Sequence, residues 1–140
     1  VETGKIKLVF MDFPLPMHSH AMMAAEAAHC AGDQGKYWEM HDKIFENQRA
    51  ISQEDLVKDA ASLGLDQAKF KECLDSGKHQ DQIKKDMAEG RKAGITGTPS
   101  FLVGYPESGD KVKAVKKIVG AQPYSAFKSA IDELLTPSKK

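Results

Sequence analysis

Two cysteines, five histidines, an aspartate between a strand-like segment and two prolines, and the Thr98-Pro99 bond are the residues of this 140-residue chain whose types could do chemistry. Cys30 and Cys73 are far too distant in sequence for a CxxC redox or zinc motif. Each falls inside a predicted helix. On neighbouring helices they form a structural disulfide if their α-carbons approach within about 7 Å; otherwise they are two buried thiols, and the residues alone leave both open. The histidines begin with "HSH", His18 and His20, followed by His29 beside Cys30. His18 precedes the predicted helix, and His20 and His29 are not spaced as an i, i+4 ligand pair, so they read as solvated or core-edge side chains and no metal is expected. Asp12, before Pro14 and Pro16, suits a backbone-capping turn residue better than a buried proton acceptor. In "GITGTPSFLVG", Gly94 ends a helix, Gly97 loosens the approach and Pro99 removes an NH just ahead of an apolar strand. The Thr98-Pro99 bond is then either cis, turning the Thr98 backbone outward to pair with an extended peptide, or an ordinary trans proline opening an edge strand.

The elements that must position these residues follow from periodicity. "KIKLVF", residues 5–10, predicts a strand stopped by "DFPLP". From Ser19, a candidate N-cap, "SHAMMAAEAAHCAG" predicts a helix. "GKYWEMHDKIFENQ" predicts a second, with Trp38, His41 and Phe45 on one face. In "ISQEDLVKDAASLGL", Ser52 and Asp55 suggest a capping box and Gly64 a helix end. "DQAKFKECLDSG" carries Asp66 as cap and Gly77 as stop, and "KHQDQIKKDMAEGRKAG" gives a more polar fifth helix. "SFLVG" and "VKAVKKIVG" then read as two strands of a hairpin across the turn-rich "YPESGDK". "PYSAFKSAIDELL" closes the chain as an amphipathic helix with Pro123 at its first position. Trp38, Phe45, Leu56, Phe70 and Ile83 are the expected core of the helical region.

Composition excludes whole classes of function. Lysines plus arginines and aspartates plus glutamates number twenty each, so there is no basic field to hold nucleic acid. No apolar run approaches the roughly 18 residues needed to cross a bilayer. The chain opens with Val1 rather than Met, which suggests processing or excision from something longer.

"MDFPLP", "AMMAAEAAHCAG", "GKYWEMHDKIFENQ", "GLDQAKFKECLDSGK", "AEGRKAGITGTPSFLVG" and "VGAQPYSAFKSAIDELL", in that order, closely resemble the DsbA-like thiol-disulfide oxidoreductases of the thioredoxin superfamily. The resemblance implies an α/β, thioredoxin-like fold with an inserted helical domain: residues 1–17 as a thioredoxin-like strand segment, 18–94 as the insert, and 95–140 as the β-β-α C-terminal segment. It implies that Gly97, Thr98 and Pro99 form a substrate-facing cis-proline loop, and that Cys30 and Cys73 are a structural disulfide. It also implies cysteine-containing protein or peptide substrates, a periplasmic or otherwise extracytoplasmic location, and no cofactor. The family's CxxC, which supplies its reactive thiolate, and the central strand and helix that carry it have no counterpart here. The chain is therefore expected to lack catalytic residues of its own and to pair as a homodimer through exposed strand edges. Two other functions remain open: a kappa-class glutathione transferase or 2-hydroxychromene-2-carboxylate isomerase-like enzyme, whose nucleophilic serine would also precede Val1, and a non-catalytic peptide-binding module.

Overall fold

The computed structural model describes residues 1–108 and 111–136, and the chain divides into two compact units, Val1–Ala93 and Gly94–Lys140. The first holds five helices: α1 (Ala21–Gly32), α2 (Tyr37–Glu46), α3 (Gln53–Ser62), α4 (Gln67–Ser76) and α5 (Gln80–Lys92). α1 packs against all four of the others. Its sequence explains that central place, because Ala24, Ala27, Ala28 and Ala31 are buried and, being small, let neighbouring backbones approach closely. Met40 of α2, Leu56 and Ala60 of α3, Leu65, and Phe70, Cys73 and Leu74 of α4 complete the cluster. Removing a side chain the size of Phe70 or Leu56 from water stabilises the unit by about 1.5–3 kcal/mol each.

Local chemistry sets the helix ends. Ser52 and Asp55 form a reciprocal capping box on α3, and the Asp66 carboxylate accepts from the Ala68 and Lys69 amides at the start of α4. Gly77 ends α4 with φ at 62°, in the left-handed region that favours a residue without Cβ. Ser19 does not cap α1. That helix starts at Ala21, with His20 at the N-cap and no side-chain capping bond.

Two further expectations are corrected. Residues 5–10 form no strand; their backbone runs without regular structure, and Ile6, Leu8, Val9 and Phe10 are exposed. A strand exists by pairing its NH and CO groups, and the sheet among the described residues contains two members, neither of them this segment. Trp38 and Phe45 share a face of α2 as expected, but that face meets no core. They are 44% and 54% exposed and ring His41 together with Phe10, at centroid distances from His41 of 5.2, 4.7 and 4.5 Å for Trp38, Phe45 and Phe10. Leu56, Phe70 and Ile83 are fully buried.

The second unit is a hairpin of β1 (Ser100–Pro106) and β2 (Val112–Val119) followed by α6 (Tyr124–Leu135). The strands are antiparallel, with a register shift at Val103/Gly104. A Cβ at Gly104 would sit 2.0 Å from the Lys113 carbonyl oxygen, so glycine is required where the strands approach at the bulge. Gly109 and Asp110, part of the predicted turn, lie outside the described residues. α6 packs on β1 through Phe101 and Phe127, edge to face at 4.7 Å, and the Tyr105 hydroxyl donates to the Leu134 carbonyl at 2.9 Å. Pro123 stands at the N-cap of α6, one residue outside the helix.

Candidate functional site

The helical unit brings Cys30 of α1 and Cys73 of α4 together. Their sulfurs are bonded and their α-carbons lie 5.8 Å apart. The bridge consumes both of the chain's cysteines, so no thiol remains to act as a nucleophile. A cavity of about 350 Å³ lies beside it, lined in part by Asp33, Glu72, Ser76 and Lys78.

Charged and ionisable groups surround the sulfurs. Glu26, one turn before Cys30, places Oε1 3.9 Å from Cys30 Sγ and accepts from the His79 backbone N–H at 2.7 Å. Asp33 Oδ2 lies 3.7 Å from Cys73 Sγ, and it meets the Lys78 ammonium at 2.8 Å and His79 Nε2 at 2.9 Å. Burial alone would push the Asp33 carboxyl up, but its bonds to Lys78 and His79 outweigh that and hold it below the usual carboxylate range.

A second polar cluster joins the start of the chain to α1 and α5. Asp12 is buried, its N–H donates to Asp86 Oδ2 at 3.1 Å, and its own Oδ2 lies 2.7 Å from His29 Nε2. Asp12 therefore neither caps its turn nor stands as an isolated proton acceptor; it is the partner of a histidine. The hydrogen bond to Asp12 raises the His29 pKa against the opposing effect of burial. The His29 ring stacks on His79 at 5.3 Å and meets Tyr37 edge-on, also at 5.3 Å. Burial pushes the Tyr37 phenol pKa up, and the nearby Asp12 and Asp86 carboxylates add to the effect. Spacing gave no signal for Glu26, Asp33, His79 or Asp86, because each reaches its partner only through helix packing. His18 and His20 are exposed and take no part.

Gly97, Thr98 and Pro99 belong to the second unit and lead into β1. The Thr98-Pro99 peptide is cis. The Ser100 hydroxyl donates to the Gly97 carbonyl at 2.7 Å, and the Pro99 carbonyl accepts from the Gly120 N–H at 2.8 Å, which ties both ends of the loop. Thr98 between them is exposed, and among the described residues no hydrogen bond engages its backbone N–H or C=O.

A helical unit built round a bridged alanine-rich helix, with a β-hairpin and helix following a Thr-Pro loop, defines a mixed α/β protein of thioredoxin-like type. A family model described as thioredoxin matches residues 1–133, and the chain belongs to that family, as a DsbA-like member of the thioredoxin superfamily. It is 26% identical over 128 residues to the probable disulfide bond formation protein D of Bacillus anthracis, covering 85% of this chain and 58% of that protein. It is 29% identical over 109 residues to the thiol:disulfide interchange protein DsbA of Bordetella parapertussis, covering 73% and 48%. It is also 36% identical over 104 residues to the Na(+)/H(+) antiporter NhaA 3 of Salinispora tropica, covering 74% of this chain and 16% of the antiporter. The chain thus spans well under two thirds of the length of each of these relatives. No solved structure matches it. No helix among the described residues is long and apolar enough to cross a membrane.

Proposed function

We propose that the chain is a portion of an extracytoplasmic thiol-disulfide oxidoreductase that forms or exchanges disulfides in protein substrates. It supplies the substrate-binding loop and the bridged helical insert, while the reactive CxxC lies outside these residues. The observation that carries this reading is the match to proteins named for disulfide formation and interchange, which extends over most of the chain. In this reading residues 1–17 and 95–140 belong to one thioredoxin-like body and residues 18–94 are its insert. Thr98, exposed and with its backbone unengaged, pairs with an extended cysteine-containing peptide flanked by Gly97 and Pro99. The Cys30–Cys73 bridge is structural, and its presence fits an oxidising compartment.

The antiporter matches favour a second reading in which the chain is the redox domain of a longer polypeptide. The coding sequence upstream of Val1 tests the oxidoreductase assignment that both readings share. A CxxC closely preceding Val1 is expected; a lone serine there would instead support the kappa-class transferase or isomerase alternative. In an insulin reduction assay the 1–140 chain is expected at the uncatalysed rate, whereas the full gene product turns over. A full product without exchange activity would refute the assignment.

The exposed apolar side chains of residues 6–11 and the unpaired edges of the β1–β2 hairpin support self-association of the isolated chain as a homodimer. Light scattering coupled to size exclusion over a dilution series tests this. A monodisperse monomer at high concentration would refute it.

A further inference from the structure

The side chains around the Cys30–Cys73 bridge are of the kinds that bind thiophilic metals, and the redox reading leaves them without a task. Cys30 Sγ, Cys73 Sγ and a ring nitrogen of His79 lie within 4.8 Å of one another. Asp33 stands against this trio, 3.7 Å from the Cys73 sulfur and 2.9 Å from His79 Nε2. Glu26 is 2% exposed, and its Oε2 has no hydrogen-bond partner among the described residues, so a buried carboxyl oxygen of the residue one turn before Cys30 is left unsatisfied. The adjoining cavity gives a cation or a reductant a way to the sulfurs.

We propose that reduction of the Cys30–Cys73 bridge converts this cluster into a site for a zinc-class divalent cation, bound by Cys30, Cys73 and His79 with the Asp33 carboxylate in the fourth position. The inference does not rest on the proposed oxidoreductase function. The reductant is a dithiol. Two electrons and two protons pass to the bridge, the S–S bond breaks, two thiols form, and the dithiol leaves as its own disulfide. Metal binding then displaces both thiol protons to solvent, and the cation bonds to two thiolates and a neutral imidazole. Bound to the cation, the two thiolates cost far less in a buried place than free ones would, and the single net negative charge left once the Asp33 carboxylate is counted faces Lys69 and Lys78 across the cavity.

The geometry is close to what the metal needs. Zn–S bonds of about 2.3 Å and Zn–N bonds of about 2.0–2.1 Å in a tetrahedron put donor atoms about 3.5–3.8 Å apart. The His79 nitrogen already lies within 4.8 Å of both sulfurs, so side-chain rotations of the freed cysteines, His79 and Asp33 are what the site requires to reach those separations. Lys78 opposes binding, since its ammonium is paired with Asp33, but its side chain is largely exposed and can turn into water. Lys69 also lines the cavity, opposite in sign to Glu72.

Cobalt(II) is the probe. The chain is reduced with a trialkylphosphine, which takes oxygen from water to become the phosphine oxide and does not compete as a thiol ligand. The reduced chain is expected to bind one cobalt with intense visible ligand-field bands and near-ultraviolet thiolate-to-metal charge transfer, both abolished by zinc. The bridged chain gives neither. The His79→Ala variant keeps the charge-transfer band and binds at least about 10-fold more weakly. If reduction alone lowers the helical circular dichroism, zinc is expected to restore it. The proposal is overturned if cobalt binds the reduced chain no better in buffer than in concentrated guanidinium, if His79→Ala leaves affinity unchanged, or if zinc fails to restore lost helicity.

Discussion

Cutting the Cys30–Cys73 bridge is expected to remove a large part of the helical unit's stability, by an amount that can be worked out from the loop it closes. The two cysteines are separated by 43 residues, and the chain-entropy relation assigns a loop of that size about 4 kcal/mol at 25 °C. Both residues are buried, Cys30 almost completely, so truncation to alanine adds on the order of 1 kcal/mol of lost packing per site. Against a typical domain stability of about 5–15 kcal/mol, Cys30→Ala/Cys73→Ala would leave the unit marginal. The singles distinguish a bridge from two well-packed side chains. Either substitution alone breaks the bond, so each should cost nearly as much as the pair, with a coupling energy close to the full loop term. Urea unfolding in non-reducing buffer is the assay. Trp38 is the sole tryptophan and lies on α2, so its fluorescence reports on the helical unit. The m-value should rise with bridge loss, because the uncrosslinked denatured chain exposes more surface. Singles whose costs add up to that of the double, or a double within about 1 kcal/mol of the parent, would refute the loop-closure reasoning.

Three other outcomes follow from single contacts. Asp12 raises the His29 pKa above its ordinary 6.5; the native state then holds the proton more tightly than the unfolded state. That contribution is complete below about 6.5 and is lost as pH rises through the higher folded value. Asp12→Asn should flatten this decline in urea midpoint, and an unchanged pH profile would refute the pairing. Gly104→Ala drives a Cβ against the Lys113 carbonyl and should weaken the hairpin by about 1–3 kcal/mol; it is read as faster amide hydrogen exchange in β1 and β2, and parent-like protection would contradict the close approach. Phe70→Ala, at a fully buried site, should cost about 3–5 kcal/mol by the same urea assay, and a loss below about 1 kcal/mol would place Phe70 outside the core.

The parts of this protein that were legible in its sequence are those that short-range chemistry decides. The Ser52–Asp55 box, the Asp66 cap and the Gly77 stop each involve groups within a few residues, and each appears where the residue types put it. The hairpin strands follow their apolar runs, and Leu56, Phe70 and Ile83 are buried as periodicity implies. Periodicity names a face but not what the face meets. Trp38, His41 and Phe45 do share a side of α2, yet that side forms an aromatic ring with Phe10 at the surface. Residues 5–10 show the same limit for a strand, since "KLVF" has the composition of one but pairing is a property of two segments. The candidate site lies further beyond local reach. The cysteines are 43 residues apart, Asp33 and His79 46, Glu26 and His79 53, and Asp12 and Asp86 74. No pattern within one helix records such meetings. They are produced by α1, whose alanines draw the other four helices close and whose remaining positions, Glu26, His29 and Cys30, thereby acquire partners. The residues that look least informative in this sequence are thus the ones that place its most reactive groups beside each other.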